Sequence, residues 1–433
     1  MPFYANVGYQ FPLPNGVVTD GSVLLASSMP LHQLLRRKRD KHPHLQRLLF
    51  DPQLYLATLS PNQSRKQCVN LASYPWFGSA SLGAYDSSQH DQKTWRDAAH
   101  AKIATAWRGV IPIADSEIDV ATREAVSVQA ALGCEAIILP SPLTNDPATA
   151  YDVELKWLDQ GIAQHAAQEA RVPVYATIAV ADLCLRYADP TNNGLLELMA
   201  DTVSARGVDG VYIVVEQGGE PAETRQCATM RTLWSLLQLV HLFRADCNLQ
   251  VVVNFVGSYG LALSAAGARV WASAWYKSLH RLRLADQVAG GRAFPLYWSH
   301  ASAVDINLER DFDALVGAGL LPVITDTTTA SAGLLAAASQ GVGVANVPAW
   351  RYQQSNVRTA AEHFFLSSVA AEQRLGALTA LQDRLDFVEQ WLSGALTRCQ
   401  RVDSALGAQA KSRMTHVSAW LDAVRSHRRV HSI

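Results

Sequence analysis

The segment Gly210-Val-Tyr-Ile-Val-Val-Glu216 is the strongest indicator of the fold, because it is a short, continuous apolar run that ends on a carboxylate. Such a run, rich in β-branched residues, predicts a strand that is buried on both faces. A helix-like segment at 193–206 precedes it, and an amphipathic segment at 223–243 leads from it to the next apolar run, at 250–255. This alternation predicts a parallel sheet covered by helices.

The same alternation extends in both directions from this stretch. The candidate strands, in chain order, are residues 22–26, 54–58, 136–140, 172–180, 210–216, 250–255, 269–275 and 294–298. Eight strands with intervening helices are typical of a TIM-type (β/α)8 barrel. The alternative is an open doubly wound α/β sheet, but the first candidate strand is not followed by the turn G-x-G-x-x-G that usually marks that fold. The run at 321–326 competes with 294–298 for the eighth place.

Two regions depart from the alternation. Residues 60–133 separate the second and third candidate strands and contain helical segments and the aromatic cluster Tyr74-Pro-Trp-Phe77. Insertions of this length often form lids or partner surfaces. We therefore expect a barrel over residues 1–350, with 60–133 as a helical and aromatic insertion after the second strand. A C-terminal helical region is expected over residues 351–433.

The composition is that of a globular protein with a large core. Of 433 residues, 49% are hydrophobic and 17% are charged, and the formal net charge of −1 gives no overall field that would attract nucleic acid or a membrane surface. The six cysteines are scattered without a C-x-x-C pair, so a zinc site made of thiolates is not expected. The first residues do not resemble a signal peptide, and no apolar stretch reaches the ~20 residues that span a bilayer. We therefore expect a cytoplasmic protein without a membrane partner.

The candidate catalytic residues follow the strands, because barrel enzymes hold their active sites at the C-terminal strand ends. Asp182 follows the fourth candidate strand and Glu216 ends the fifth, so their carboxyl groups should lie near each other. Two such carboxyls suit one acid and one base, as in glycosidic bond cleavage. His300 is a candidate general base; no H-x-H or H-E-x-x-H motif accompanies it, so no metal ion or cofactor is expected. The structural alternative is that Asp182 caps a turn and Glu216 pairs with a cation.

Polar and aromatic residues at the later strand ends could bind a ligand. Asn254 interrupts an apolar run and must be hydrogen-bonded. Aromatic rings stack on sugars and nucleobases, although alternation along a strand turns about half of them toward the outer helices. The expected ligand-binding residues are Asn254, Ser258, Trp275, Tyr276, Lys277 and Trp298.

The run Leu35-Arg-Arg-Lys-Arg39 is the strongest local charge cluster. Its side chains Arg36, Arg37, Lys38 and Arg39 could contact the phosphates of a nucleic acid, or they could form a solvated helix face.

These features predict an enzyme, a hydrolase or glycosyltransferase, with a pocket at the barrel mouth. Its ligand would be sugar-like or nucleoside-like, and a carboxylate pair would act on a glycosidic or N-glycosidic bond. The alternative is a non-catalytic barrel that serves as a protein-interaction subunit of a larger assembly or as a homo-oligomer, with the basic run as a nucleic-acid contact. The insertion and the helical C-terminal region are the surfaces that favour this alternative.

Overall fold

Eight parallel strands form a nearly closed barrel in the computed structural model. It describes residues 2–7, 17–36, 47–80, 94, 97–99, 101, 103, 114–145, 152–168, 171–186, 188, 189, 191–221, 224–287, 293–407, 410, 412 and 414–433. The barrel strands are β1 (Phe3–Val7), β2 (Gly21–Leu25), β3 (Leu48–Asp51), β4 (Ile137–Ile138), β5 (Val174–Ala181), β6 (Gly210–Glu216), β7 (Gln250–Asn254) and β8 (Val270–Ser273). The predicted TIM-type fold is thereby confirmed.

The strands are hydrogen-bonded in the order β3-β2-β1-β8-β7-β6-β5-β4. The two outer strands of this order approach each other where the amide of Glu135 donates to the carbonyl oxygen of Leu48 at 2.8 Å. The first strand in the chain thus lies between β2 and β8, and it joins the beginning of the chain to the last barrel strand.

Helices cover the outside of the barrel and continue beyond it. Their bounds are α1 (Leu31–Arg36), α2 (Arg65–Leu71), α3 (Asp115–Leu132), α4 (Asp152–Ala167), α5 (Asp182–Leu185), α6 (Gly194–Ser204), α7 (Met230–His241), α8 (Gly260–Ala265), α9 (Lys277–His280), α10 (Asp311–Gly317), α11 (Leu321–Ile324), α12 (Ala332–Ser339), α13 (Val357–Gly376), α14 (Leu381–Leu406) and α15 (His416–His431). No helix among the described residues is long and apolar enough to cross a membrane.

Two of the eight predicted strands do not belong to the barrel sheet, and neither does the alternative at 321–326. Residues 54–58 do not form a strand: Gln53 takes a left-handed φ of 54°, and Leu54–Leu56 is a 3-10 turn that follows β3. Leu296–Ser299 (β9) forms an antiparallel hairpin with Val304–Asn307 (β10) outside the barrel sheet. The run at 321–326 begins with the short helix α11. The two barrel strands that the sequence did not predict are β1 and β3. The segment 60–133 therefore follows the third strand of the barrel rather than the second.

The C-terminal helices pack directly on the barrel. The Phe3 ring on β1 lies 4.3 Å from the Trp271 ring on β8 and 6.1 Å from the Phe365 ring on α13, measured between centroids. On α15, the indole N–H of Trp420 donates to the carbonyl oxygen of Cys227 at 2.8 Å. Helix α13 therefore covers the seam between β1 and β8, as an outer helix of the barrel would.

Candidate functional site

The centre of the barrel is filled by a chain of hydrogen-bonded polar side chains. The hydroxyls of Tyr55 and Tyr212 donate to Oδ2 of Asp51 at 2.5 and 2.7 Å. The amide of Asn254 donates to the Tyr212 hydroxyl at 2.6 Å and accepts from the amide of Asn6 at 2.7 Å. All five side chains are buried, so this chain of hydrogen bonds closes the barrel below its mouth.

Asn254 satisfies its amide within this network, where the sequence had suggested a ligand contact. Its oxygen accepts from Asn6 and from the amide of Phe255, and its nitrogen donates to Tyr212. The prediction that a polar amide in this apolar run must be hydrogen-bonded is met inside the barrel.

The two candidate carboxylates lie on adjacent strands at the mouth of the barrel. Glu216 ends β6, its register partner on β5 is Ala181, and Asp182 follows directly. The consecutive amides of Gly218 and Gly219 bind them: Gly218 donates to Oε2 of Glu216 at 2.9 Å, and Gly219 donates to Oδ2 of Asp182 at 3.2 Å. One short loop thus binds both carboxyl groups and keeps them near each other.

The two glycines leave room beside this loop for the carboxylates and their partners. A Cβ atom at Gly218 would stand 2.6 Å from Oε2 of Glu216, and one at Gly219 would meet the Arg186 guanidinium. That guanidinium forms an ion pair with Oδ2 of Asp182 at 2.9 Å.

Burial raises the pKa of both carboxyl groups. For Asp182 the ion pair with Arg186 and the amide of Gly219 oppose the shift. For Glu216 the amides of Leu284 and Gly218 oppose it, while the charge of Asp182 adds to it. A buried carboxyl with a raised pKa beside a second carboxyl is a common arrangement in acid–base catalysis.

A third buried carboxylate, Glu220, was not found from the sequence. It accepts from the amides of Ala228 and Thr229 at 3.0 and 2.9 Å, just before helix α7 begins. Its charge contributes to the raised pKa of Asp182. A glutamate in a loop gives no periodic signal, so only the folded structure reveals that it faces the pair.

The segment 277–287 after β8 lies across the mouth of the barrel. The side-chain amide of Asn6 donates to the carbonyl oxygen of Leu279 at 3.0 Å. The backbone amide of Gln217 donates to the carbonyl oxygen of Leu282 at 2.8 Å. The amide of Leu284 donates to Oε1 of Glu216 at 3.0 Å. Under this segment Asp182 is 2% exposed and Glu216 is 8% exposed.

One carboxylate in this segment balances three cations. Asp286 forms ion pairs with Lys277, Arg281 and Arg283 at 3.3, 3.3 and 3.1 Å. Burial lowers the pKa of Lys277, and Asp286 opposes that shift. Lys277 therefore helps to hold the mouth segment in place.

Buried polar atoms surround Gly257 without a hydrogen-bond partner among the described residues. They are Nε2 of His280, Oε1 of Gln226, Oε1 of Gln217 and Oγ of Ser258. A Cβ atom at Gly257 would stand 2.5 Å from the Gln226 oxygen and 2.6 Å from Nε2 of His280. Ser258 was predicted from the sequence. His280, on the short helix α9, and the two glutamines, on loops, were not, because these segments meet only in three dimensions.

His280 has a defined tautomer. Its Nδ1 lies 2.8 Å from the carbonyl oxygen of Ala274, which can only accept, so Nδ1 carries the proton and Nε2 presents a lone pair. Burial lowers the pKa of His280 to about 4, which keeps the ring neutral at pH 7.

The aromatic residues lie mostly in packed surroundings. Trp275 is 1% exposed, and the guanidinium of Arg225 lies 4.9 Å from its ring. Its neighbour Tyr276 is half-buried and lies edge-on to it at 5.4 Å. Trp298 lies on β9, where its ring meets Phe364 of α13 at 6.1 Å, away from the carboxylate pair.

His300 does not join the pair either, and the side chains of the basic run lie outside the described residues. His300 lies in the β9–β10 turn, where its ring stacks on Trp391 at 4.7 Å, and burial lowers its pKa to about 4. Helix α1 ends at Arg36, whose side chain lies outside the described residues, as do Arg37, Lys38 and Arg39.

Comparisons with known proteins give no further guide to function: no protein-family model matches this chain, and no curated protein matches it significantly.

Proposed function

We propose that this chain is an enzyme whose active site lies at the mouth of the barrel and uses Glu216 and Asp182 as an acid–base pair. The single observation that carries the proposal is the binding of both buried carboxylates by the consecutive amides of Gly218 and Gly219. Strand ends at this face are where barrels hold catalytic groups.

The surroundings suggest different roles for the two carboxyl groups. Asp182 has an ion pair with Arg186, which favours its charged form. Glu216 has only backbone amides as its hydrogen-bond donors among the described residues, and the charge of Asp182 raises its pKa. Glu216 would therefore carry and transfer the proton, while Asp182 would stay ionised and stabilise positive charge or activate water.

A sugar-like or nucleoside-like substrate agrees with the groups beside this pair. Nε2 of His280 and the side-chain oxygens of Gln226 and Gln217 are acceptors without a described partner. Sugar hydroxyls are donors that could satisfy them, and a carboxyl pair is the usual machinery of glycosidic bond hydrolysis. The roles of Trp275 and Trp298 as stacking platforms have less support, because both are buried by protein contacts.

The test is hydrolysis of a panel of nitrophenyl glycosides and nucleosides, measured as the release of nitrophenol or free base. Glu216→Gln keeps the size of the side chain but cannot transfer a proton, and we expect it to lower kcat/KM by roughly 10²–10⁴-fold. Glu197→Gln is the matched control, because it makes the same charge change on the exposed face of α6.

The proposal fails if the wild-type protein hydrolyses no member of the panel and no member raises its melting temperature. It also fails if the Glu216 and Glu197 variants retain equal activity. Circular dichroism of each variant separates loss of chemistry from loss of folding.

A second candidate function is a non-catalytic barrel that acts as an interaction subunit. The observation that favours it is that the mouth segment covers the barrel mouth, where a substrate would enter. Its residues Leu279, Leu282 and Leu284 all hydrogen-bond to the barrel through their backbones. Light scattering after size-exclusion chromatography tests it, with a stable oligomer and an inactive substrate panel as the supporting result. A monomer that hydrolyses a panel member would contradict it.

A further inference from the structure

Three histidines meet on the outside of the barrel, where the last helix packs on α7. His241 is the final residue of α7, and His427 and His431 lie four residues apart on α15. One ring nitrogen from each lies within 4.8 Å of the others. Residues four apart share one face of a helix, so α15 presents two imidazoles toward the third.

His427 has no hydrogen-bond partner among the described residues, although it is fully buried. Both its ring nitrogens are inaccessible to solvent and unpaired. A buried polar atom without a partner normally destabilises a protein, so such an atom calls for a ligand. The unpaired ring faces the other two histidines: its centroid lies 5.7 Å from His241 and 4.7 Å from His431.

A neighbouring glutamine prepares the ring of His431 for coordination. Nε2 of His431 lies 2.7 Å from Oε1 of Gln238, an acceptor, so Nε2 carries the proton and Nδ1 has a free lone pair. A hydrogen bond of this kind commonly orients a metal-binding histidine. The ring of His431 stacks on His241 at 3.6 Å between centroids, so these two rings must rotate before their in-plane lone pairs can meet at one ion.

Burial keeps the three rings in the neutral form that binds metal ions. It lowers the pKa of His427 to about 3, with the other two histidines adding to the shift, and it also lowers the pKa of His241 and His431. The carboxylate of Asp246 acts on His241 and His431 in the opposite direction. The α-helix changes to a π-helical turn at Leu242–Asp246, immediately after His241, and such turns often mark functional sites.

We propose that His241, His427 and His431 form a binding site for a divalent zinc-like metal ion. Imidazole nitrogens suit Zn²⁺, and three of them leave the fourth tetrahedral position to water. Nitrogens bound to one Zn²⁺ at about 2.0–2.1 Å lie ~3.4 Å apart, so the rings must approach by roughly an ångström from their present separation.

Such an ion would fasten the C-terminal helix to the barrel. α7 runs from the mouth end of β6 back to the start of β7, so its last residue lies at the end of the barrel opposite Asp182 and Glu216. The site is thus separate from the proposed active site. The expectation of no metal ion rested on the motifs around His300, whereas this cluster joins two segments that are far apart in sequence.

The test uses the full chain without a histidine tag, stripped with EDTA and then titrated with ZnCl₂ by calorimetry. Metal analysis after dialysis counts the ions that the chain retains. We expect one Zn²⁺ per chain and a melting temperature that rises with ZnCl₂ concentration, because the ion binds the folded state. Co²⁺ in place of Zn²⁺ should give the visible absorption of a tetrahedral ion.

The variants His427→Gln, His431→Gln and His241→Gln should each weaken Zn²⁺ binding by at least ~100-fold, since each removes one ligand. His165→Gln on α4 is the matched control: His165 is half-buried and its ring makes one hydrogen bond, to Val172, so its loss should leave binding unchanged. If the buried His427 variant does not fold, the half-buried His241 and His431 variants decide the result. Binding that is absent, non-stoichiometric or equal in all four variants overturns the proposal.

Discussion

At the scale of single residues, Asp51 determines the charge of the polar network inside the barrel. It is fully buried and accepts hydrogen bonds from two tyrosine hydroxyls and from the amide of Gln53. These donors stabilise the carboxylate, but burial outweighs them and raises its pKa from 3.8 to about 6. The centre of the barrel is therefore a polar network that changes charge near neutral pH.

The first prediction is that Asp51 makes the stability of the protein fall as the pH rises. The folded carboxyl keeps its proton up to about pH 6 while the unfolded one loses it near 3.8, so the folded state binds more protons in this interval. Stability contributed by the protonated form is complete below about pH 4 and lost as the pH passes 6. A shift of about two pKa units corresponds to ~3 kcal/mol.

Urea denaturation of wild type and Asp51→Asn between pH 4 and 7.5 measures this effect. The wild-type free energy of unfolding should fall relative to the variant by up to ~3 kcal/mol over this range, because asparagine does not titrate. A difference between the two proteins that stays constant with pH would contradict the prediction.

At the scale of elements, the sequence predicts the strands that are continuous and apolar, and it misses the others. The expected positions of β5 to β8 match the structure closely because these strands are buried on both faces. The apolar run of β1 is interrupted by Asn6, and β3 ends at Asp51 and is followed at once by Pro52 and the left-handed Gln53. The hairpin strand β9 is as apolar as a barrel strand, and nothing local tells which sheet it joins.

The same limit applies to the candidate site. Asp182 and Glu216 could be paired from the sequence because they follow adjacent strands of a parallel sheet. Glu220 and His280 could not, because Glu220 lies on a loop and His280 on the short helix α9, and the path of each segment depends on tertiary contacts. Sequence patterns locate strand ends, and they do not describe how the loops beyond those ends pack together.

The second prediction concerns the docking of α13 on the barrel. Glu372 of α13 is buried and accepts from the indole N–H of Trp271 at 2.8 Å and from the hydroxyl of Ser264 at 2.7 Å. Glu372→Leu leaves the indole N–H buried without an acceptor and should lower the free energy of unfolding by roughly 2–4 kcal/mol. Glu372→Gln is the control: its oxygen can accept from Trp271 while its amide donates to the hydroxyl of Ser264. In urea denaturation it should lose less than about 1 kcal/mol; equal losses in both variants would argue against this docking contact.

The third prediction concerns the close packing at the start of β6. A Cβ atom on Gly210 would lie 2.5 Å from the carbonyl oxygen of Gln250 and 2.8 Å from the ring of Tyr175. Gly210→Ala should therefore destabilise the protein by about 1–3 kcal/mol, because neighbouring backbone has to move. Gly333→Ala makes the same change on the exposed surface of α12, where nothing lies within 4 Å, and should stabilise it by ~0.5–1 kcal/mol. Thermal denaturation measures both changes: the melting temperature should fall for Gly210→Ala and rise for Gly333→Ala.

At the scale of the whole molecule, the two ends of the described chain are held against the same barrel. β1 pairs with β8, the last barrel strand, and α13 covers both on the outside. The helix α15 packs on α7, which precedes β7. The helices that the sequence assigns to a C-terminal region therefore pack on the barrel itself.

The fourth prediction is that residues 1–350 do not fold when expressed without the remaining helices. Removing α13 would expose the outward faces of Phe3 and Trp271, both of which are fully or almost fully buried in the whole chain, and would leave the indole N–H of Trp271 without Glu372. Burying large aromatic side chains contributes about 1.5–3 kcal/mol each, which is a large part of the ~5–15 kcal/mol that stabilises a typical domain. We expect the truncated chain to aggregate or to lack a cooperative thermal transition by circular dichroism, and the full chain to unfold in one transition. A soluble 1–350 fragment that melts cooperatively would show instead that the barrel and the C-terminal helices are independent domains.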